Sequence, residues 1–331
     1  MPLDPSQSAA LPMRWRTRAL AALLKRGPGI EDLDPNELPA ARTARATVRA
    51  SWAGQRVYGR LDPACAVADR RVDLDGTVVR LRIYRPKAKV SRSLPLVVLF
   101  HGGGWVQGDP EQDEWLASRV ATRTQAVVVS VAYRLAPEHP FPAGVDDCWA
   151  ATRWVHEHAD ELGGDADRMA VMGDSAGGNL AAVVAMLARD AGGPRLRAQV
   201  LIYPGTEMID VFDSEVEHAV APVLTSRGMR TFTALYLAGQ DGTVPTASPI
   251  RAESHAGLAP ALVQTAGHDP LKDNGRLYAD KLLAAGVPVT YTCYRDAIHG
   301  FASLPGAVPA AEPALAEIVR TLRDAFSAAQ A

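Results

Sequence analysis

Cysteine is scarce in this chain of 331 residues. Cys65, Cys148 and Cys293 are the three, far apart, odd in number and without a Cys-x-x-Cys pair. That pattern excludes a disulfide framework and a cysteine-built zinc site. It fits free thiols in a reducing compartment, so the expected location is cytoplasmic. Excess charge is lacking as well: 35 Lys+Arg against 37 Asp+Glu leave a net charge of −2. No basic face able to grip a phosphate backbone follows, which excludes nucleic acid as a partner. Long apolar runs are also missing. No uncharged apolar stretch reaches the roughly 18 residues that a membrane span needs. Residues 19–24 are too short for the core of a signal peptide, and Arg14, Arg16 and Arg18 crowd their start. An amphipathic helix near residues 14–26, basic on one side, is expected to pack on its own domain, so no stable membrane insertion is expected. There is no internal repeat and no low-complexity segment.

What is present is apolar bulk. Hydrophobic residues make up 47% of the chain, enough to bury one large α/β core with an added cap, or two ordinary domains. From about residue 70 a strand–helix alternation begins. Residues 77–84 alternate like an exposed antiparallel strand, and residues 94–100 and 126–131 are continuous apolar runs, as in strands covered on both faces. Between them lies a helical stretch, 111–124. A helix over 146–162 closes at Gly163-Gly164. Strand 168–172, helix 178–189 and strand 198–203 follow. After residue 249 the alternation resumes with strand 261–266, helix 272–285, strand 287–294 and helix 311–328. This rhythm predicts a mostly parallel sheet with helices on both faces. Residues 205–249 interrupt it with one helix, 226–237, and no strand. The expected organisation is a catalytic unit of residues 61–204 and 250–331. Residues 205–249 form a cap insertion over the strand ends, and residues 1–60 form part of the same cap.

The sharpest motif is Gly173-Asp-Ser-Ala-Gly177, preceded by an apolar strand and followed by a helix-forming run. Such a strand–turn–helix bend holds the central serine clear of the sheet, so Ser175 is the candidate nucleophile. A serine nucleophile needs a base, and the base an orienting carboxylate, here in the chain order acid then histidine. Four histidines follow: His218 and His255, expected at the surface, His268, and His299. His299 stands in a strand-end loop before the last helix and is the candidate base. Asp269 leaves the strand before it and is favoured as the acid, with Asp273 a rival. His101-Gly-Gly-Gly-Trp105 follows the strand ending at Phe100. Glycines there let backbone N–H groups approach a developing oxyanion. The same glycines do not make a phosphate loop, because Asp109-Pro110 stands where Lys-Ser/Thr is required, nor a dinucleotide loop. His101 is expected to order its own loop, and Glu138 and Asp146 to brace that region. His156 and His158, two apart on a helix, do not share a metal easily.

Five motifs together carry a family resemblance: His101-Gly-Gly-Gly-Trp105, Tyr133-Arg-Leu-Ala-Pro-Glu-His-Pro-Phe-Pro142, Gly173-Asp-Ser-Ala-Gly-Gly-Asn-Leu180, Asp269-Pro-Leu271 and His299-Gly-Phe301. In this order the chain resembles the hormone-sensitive-lipase family of α/β-hydrolase esterases. The resemblance implies an α/β-hydrolase fold with a helical cap, a triad of Ser175, Asp269 and His299, and an oxyanion hole from the N–H groups of Gly103, Gly104 and Ala176. It implies a small-molecule ester as substrate and no metal or organic cofactor. It also suggests a homodimer paired through the edge strand at 287–294. Trp105, and Phe212, Met229, Phe232 and Tyr236 in the insertion, are candidates for an apolar substrate pocket. The expected activity is a serine carboxylesterase for short- to medium-chain esters. The rivals are an amidase or interfacial lipase on the same triad, and a non-catalytic small-molecule receptor.

Overall fold

Eight strands form one sheet in the order β1-β2-β4-β3-β5-β6-β7-β8. They are β1 Cys65–Leu74, β2 Thr77–Pro86, β3 Leu94–Phe100, β4 Val127–Ala132, β5 Gly164–Asp174, β6 Leu196–Ile202, β7 Ala261–His268 and β8 Val289–Ile298. β2 pairs antiparallel with β1 and β4, and every pair from β4 to β8 is parallel. A computed structural model of the chain describes residues 3–4, 8–24, 29–88 and 93–327.

The helices are α1 Trp15–Leu24, α2 Leu38–Ala50, α3 Trp52–Tyr58, α4 Glu114–Thr124, α5 Ala143–Glu157, α6 Ala176–Asp190, α7 Asp213–Glu217, α8 Ser226–Leu237, α9 Lys272–Ala284 and α10 Ala311–Ser327. The apolar residues of α5, α6 and α9 pack with one set of strand side chains, and those of α4 and α10 with the other. Every residue of β3 is therefore buried, which is why its sequence is an unbroken apolar run.

The alternation was legible, with three differences. β1 was not anticipated; it forms a hairpin with β2 across Asp75-Gly76, both at positive φ. Helix α5 begins at Ala143, before the expected Asp146, and Gly164 opens β5 where a helix stop was expected. A helix forms there, α1, but it is not amphipathic: its buried residues are Thr17 and Ala21, and Trp15, Leu23 and Leu24 are exposed; residues 25–26 of the expected span lie outside those described.

Between β6 and β7 the chain leaves the sheet, and α8 lies there as expected. The N-terminal segment reaches it: Thr225, capping α8, donates to Glu31 at 2.6 Å, and Arg227 donates to the Glu31 carbonyl at 3.0 Å. The same segment grips the loop after β3. Arg42 on α2 donates to the carbonyls of Val106 and Ala136, both at 2.7 Å, and forks onto Glu138. Arg49 pairs with Asp109 at 2.6 Å. Farther upstream, residues 8–11 run along the free edge of β8. Leu11 N–H donates to the Arg295 carbonyl at 2.8 Å, and the Arg295 side chain donates to the Ala9 carbonyl at 2.6 Å.

Candidate active site

β5 ends at Asp174 and α6 begins at Ala176, so the whole turn is made by Ser175. Its backbone sits at φ 54°, ψ −117°, a strained conformation for a side-chain-bearing residue. The Ser175 N–H is held by the Ile202 carbonyl of the neighbouring strand at 2.8 Å. The flanking glycines are needed for space. A Cβ on Gly173 would overlap the Gly177 carbonyl, and one on Gly177 the Phe100 carbonyl.

Parallel pairing brings the next two groups together. His268 on β7 is in register with Ile298 on β8, so the residues that follow, Asp269 and His299, leave adjacent strand ends. His299 Nδ1 lies 2.8 Å from Asp269 Oδ2, and His299 Nε2 lies 2.9 Å from Ser175 Oγ. Asp269 is fully buried and His299 is 5% exposed. With the Nδ1 proton directed at the carboxylate, Nε2 is left to accept the serine proton. Asp273, the rival acid, instead accepts from Ser214 N–H and Arg276.

The loop after β3 lies against the serine bend, where the Gly102 N–H donates to Asp174 Oδ1 at 2.6 Å. Gly103 and Gly104 have φ of 119° and 61°, backbone conformations that favour glycine. Among the described residues, the N–H groups of Gly103, Gly104 and Ala176 carry no hydrogen bond. His101 orders the loop: it is buried, its Nδ1 lies 2.9 Å from the Gly102 carbonyl, and its ring stacks on Tyr133. Burial pushes the His101 imidazole down to about 4, so it stays neutral. Glu138 braces the region by pairing with Arg42.

Of the pocket candidates, three come together. Trp105 stacks on Tyr236 with ring centres 4.6 Å apart, and Phe232 lies against Gly104 so closely that a Cβ there would overlap its ring. Met229 is half-buried beside the same core. Phe212 is not with them. It lines a separate surface cleft with Asp210, Ile250, Arg251 and Leu277, of about 550 Å³, and neither Ser175 nor His299 borders it.

The other histidines need two corrections. His255 was expected at the surface but is buried, with Nε2 3.0 Å from the Pro249 carbonyl. His218 was likewise expected outside, yet its side chain is 10% exposed and meets the His268 ring edge-on. No cluster of three metal-ligating side chains occurs among the described residues, and no helix there is long and apolar enough to cross a membrane. Sequence reading missed two buried acids beside the site. Asp174, between Gly173 and Ser175, is 4% exposed, and Asp113 is 1% exposed. Nothing in the local sequence around Asp113 marks it, because its surroundings are assembled from distant loops.

A profile of the family described as alpha/beta hydrolase fold matches residues 97–303, the span that holds all these groups. Carboxylesterase NlhH of Mycobacterium tuberculosis is 46% identical over 272 residues, covering 80% of this chain and 85% of that protein. Ethyl acetate hydrolase of Pseudomonas putida is 34% identical over 273 residues, covering 81% and 85%. Among solved structures, the hyperthermophilic esterase of the archaeon Pyrobaculum calidifontis superposes with a TM-score of 0.84 at 36% identity, over 95% of this chain and 99% of that one.

Proposed function

We propose that this chain, which belongs to the hormone-sensitive-lipase-like family of the alpha/beta hydrolase fold, is a serine carboxylesterase acting on small carboxylic esters. The observation that carries the reading is the hydrogen-bonded line Ser175–His299–Asp269, and the N–H groups of Gly103, Gly104 and Ala176, without a hydrogen bond among the described residues, support it. Ser175 Oγ attacks the ester carbonyl while His299 Nε2 takes its proton. Negative charge collects on the carbonyl oxygen, where Gly103, Gly104 and Ala176 N–H groups receive it. His299 returns the proton to the departing alcohol, and water then cleaves the acyl-enzyme by the same route. Asp269 fixes the imidazole tautomer and stabilises the imidazolium.

The names of the relatives, a carboxylesterase and an ethyl acetate hydrolase, support an ester substrate with a short acyl group. Trp105, Phe232 and Tyr236 are proposed to bound the acyl or alcohol pocket. Residues 205–249 and the N-terminal segment are proposed to form the cap. The contacts of Glu31 and Arg227 with each other's segments support that grouping. A homodimer is proposed to pair through β8. Because residues 8–11 occupy its edge near Arg295, the pairing is proposed for Val289–Thr292, which no backbone segment among the described residues pairs with on that edge. Light scattering at the mass of two chains supports this pairing, and a single-chain mass removes it.

The test of the activity is a rate profile on soluble esters from acetyl to palmitoyl, with anilides and emulsified triglyceride alongside. Fast turnover of short soluble esters supports the esterase. Preference for anilide or emulsion supports the amidase or lipase reading instead.

A further inference from the structure

The register between β7 and β8 slips just before the strands release Asp269 and His299. Ala266 is opposite Tyr294 and His268 is opposite Ile298, so Gly267 alone faces Arg295, Asp296 and Ala297. β8 bulges there, and a bulge bends its strand and re-aims the side chains that follow it. The two strands also approach closely, because a Cβ on Gly267 would overlap the Arg295 carbonyl. The shape of the bulge therefore sets where His299 leaves β8 relative to Asp269 on its neighbour.

The polar groups of the bulge are taken up by residues 9–14. Leu11 N–H donates to the Arg295 carbonyl at 2.8 Å, and the Arg295 side chain donates to the Ala9 carbonyl at 2.6 Å. Arg14 pairs with Asp296 at 2.8 Å, but the pair is partly exposed and adds little. His268 reaches the same segment from β7. Its Nε2 lies 2.7 Å from the Leu11 carbonyl. A carbonyl only accepts, so Nε2 carries the proton and donates it. Leu11 thus binds both strands through its own backbone, β8 with its N–H and β7 with its carbonyl. The insertion packs beside this contact: the His218 ring meets His268 edge-on at 6.0 Å, and both histidines line a cleft of about 190 Å³ with Met13 and Pro222.

We propose that Leu11 and His268 clamp together the strand ends that carry the triad acid and base, with His268 as a positioning residue. His268 does not touch the reacting atoms. It acts through the peptide that joins it to Asp269, and so on the 2.8 Å contact between Asp269 and His299. The inference rests on the esterase reading for its kinetic consequence, since a small misplacement of base or acid is costly in the chemical step.

The test uses the full chain with three substitutions. His268→Phe keeps a ring against His218 but has no donor. His268→Gln restores an N–H donor for the Leu11 carbonyl. Leu11→Pro removes the N–H that binds Arg295 and leaves β7 untouched, at an exposed position. Expected are a kcat about fivefold to tenfold lower in His268→Phe and about threefold lower in Leu11→Pro, each with KM within about twofold. His268→Gln should stay within about twofold of the parent in both constants. Proton NMR supplies a readout that needs no turnover. The His299 Nδ1 proton, held against Asp269, gives a far-downfield resonance that should move or broaden in His268→Phe and stay in His268→Gln. A folded His268→Phe with the parent kcat, a His268→Gln as impaired as His268→Phe, or a kcat loss with that resonance unmoved would overturn the clamp. If His268→Phe does not fold, a Leu11→Pro variant with the parent kcat and resonance overturns it alone. A parent that turns over no ester refutes the esterase reading, while the resonance still decides the clamp.

Discussion

The ring of Phe232 rests on Gly104. A methyl group at position 104 would overlap the ring atoms, so the loop after β3 meets α8 at a residue that has no side chain to give. In the proposed site this contact limits the room beside Gly104. Phe232→Ala should open that space and favour longer acyl groups. The ratio of kcat/KM for octanoyl over acetyl esters should rise about tenfold, in the range a few methylene contacts support. An unchanged ratio in a folded variant would move the pocket elsewhere.

Arg42 ties the N-terminal segment to the loop that follows Trp105. Its charge pairing with Glu138 is partly exposed, with side chains 21% and 41% accessible, so little of its worth is ionic. The two carbonyls it serves, of Val106 and Ala136, matter more. Arg42→Ala should cost about 1–2 kcal/mol in unfolding free energy and lower kcat several-fold. Arg42→Lys should not restore both, because an ammonium cannot span the fork. Thermal unfolding and steady-state rates check this; a lysine variant equal to the parent would contradict it.

His101 gives the fold an acid sensitivity whose sign can be stated. Its imidazole is pushed down to about 4 by burial, while the unfolded chain binds a proton near the ordinary value. Between about 4 and 6.5 the unfolded state holds more protons, so stability falls as pH falls through that window. Asp113, pushed up to about 6, has the opposite sign, because the folded form keeps a proton that the unfolded chain releases. Comparing the parent with His101→Asn isolates the histidine. The stability difference between them should shrink by about 2 kcal/mol from about pH 7 to about pH 4.5. A constant difference would mean that the ring is not held neutral.

Much of the fold was legible because its strands are covered on both faces and so appear as apolar runs, as at Leu94–Phe100. The serine bend was legible because its glycines are forced by space, at Gly173 and Gly177. The hairpin turn Asp75-Gly76 was a readable signal for β1 that went unused. Other features could not be read locally. Arg42 and Glu138 are 96 residues apart, and Glu31 and Thr225 are 194 apart. Neither contact has a local pattern to announce it. His255 and His218 were placed outside because polar loops are usually solvated, but tertiary packing buried one and nearly buried the other.

The most direct test of the central claim is covalent. The folded protein is treated with a fluorophosphonate, digested, and the modified residue is located by mass spectrometry, with Ser175→Ala and His299→Ala treated in parallel. Expected is one phosphonylated site at Ser175, absent from Ser175→Ala and formed far more slowly in His299→Ala. A natively folded parent that stays unlabelled at Ser175, or a Ser175→Ala variant that hydrolyses short esters within about threefold of the parent rate, would contradict it.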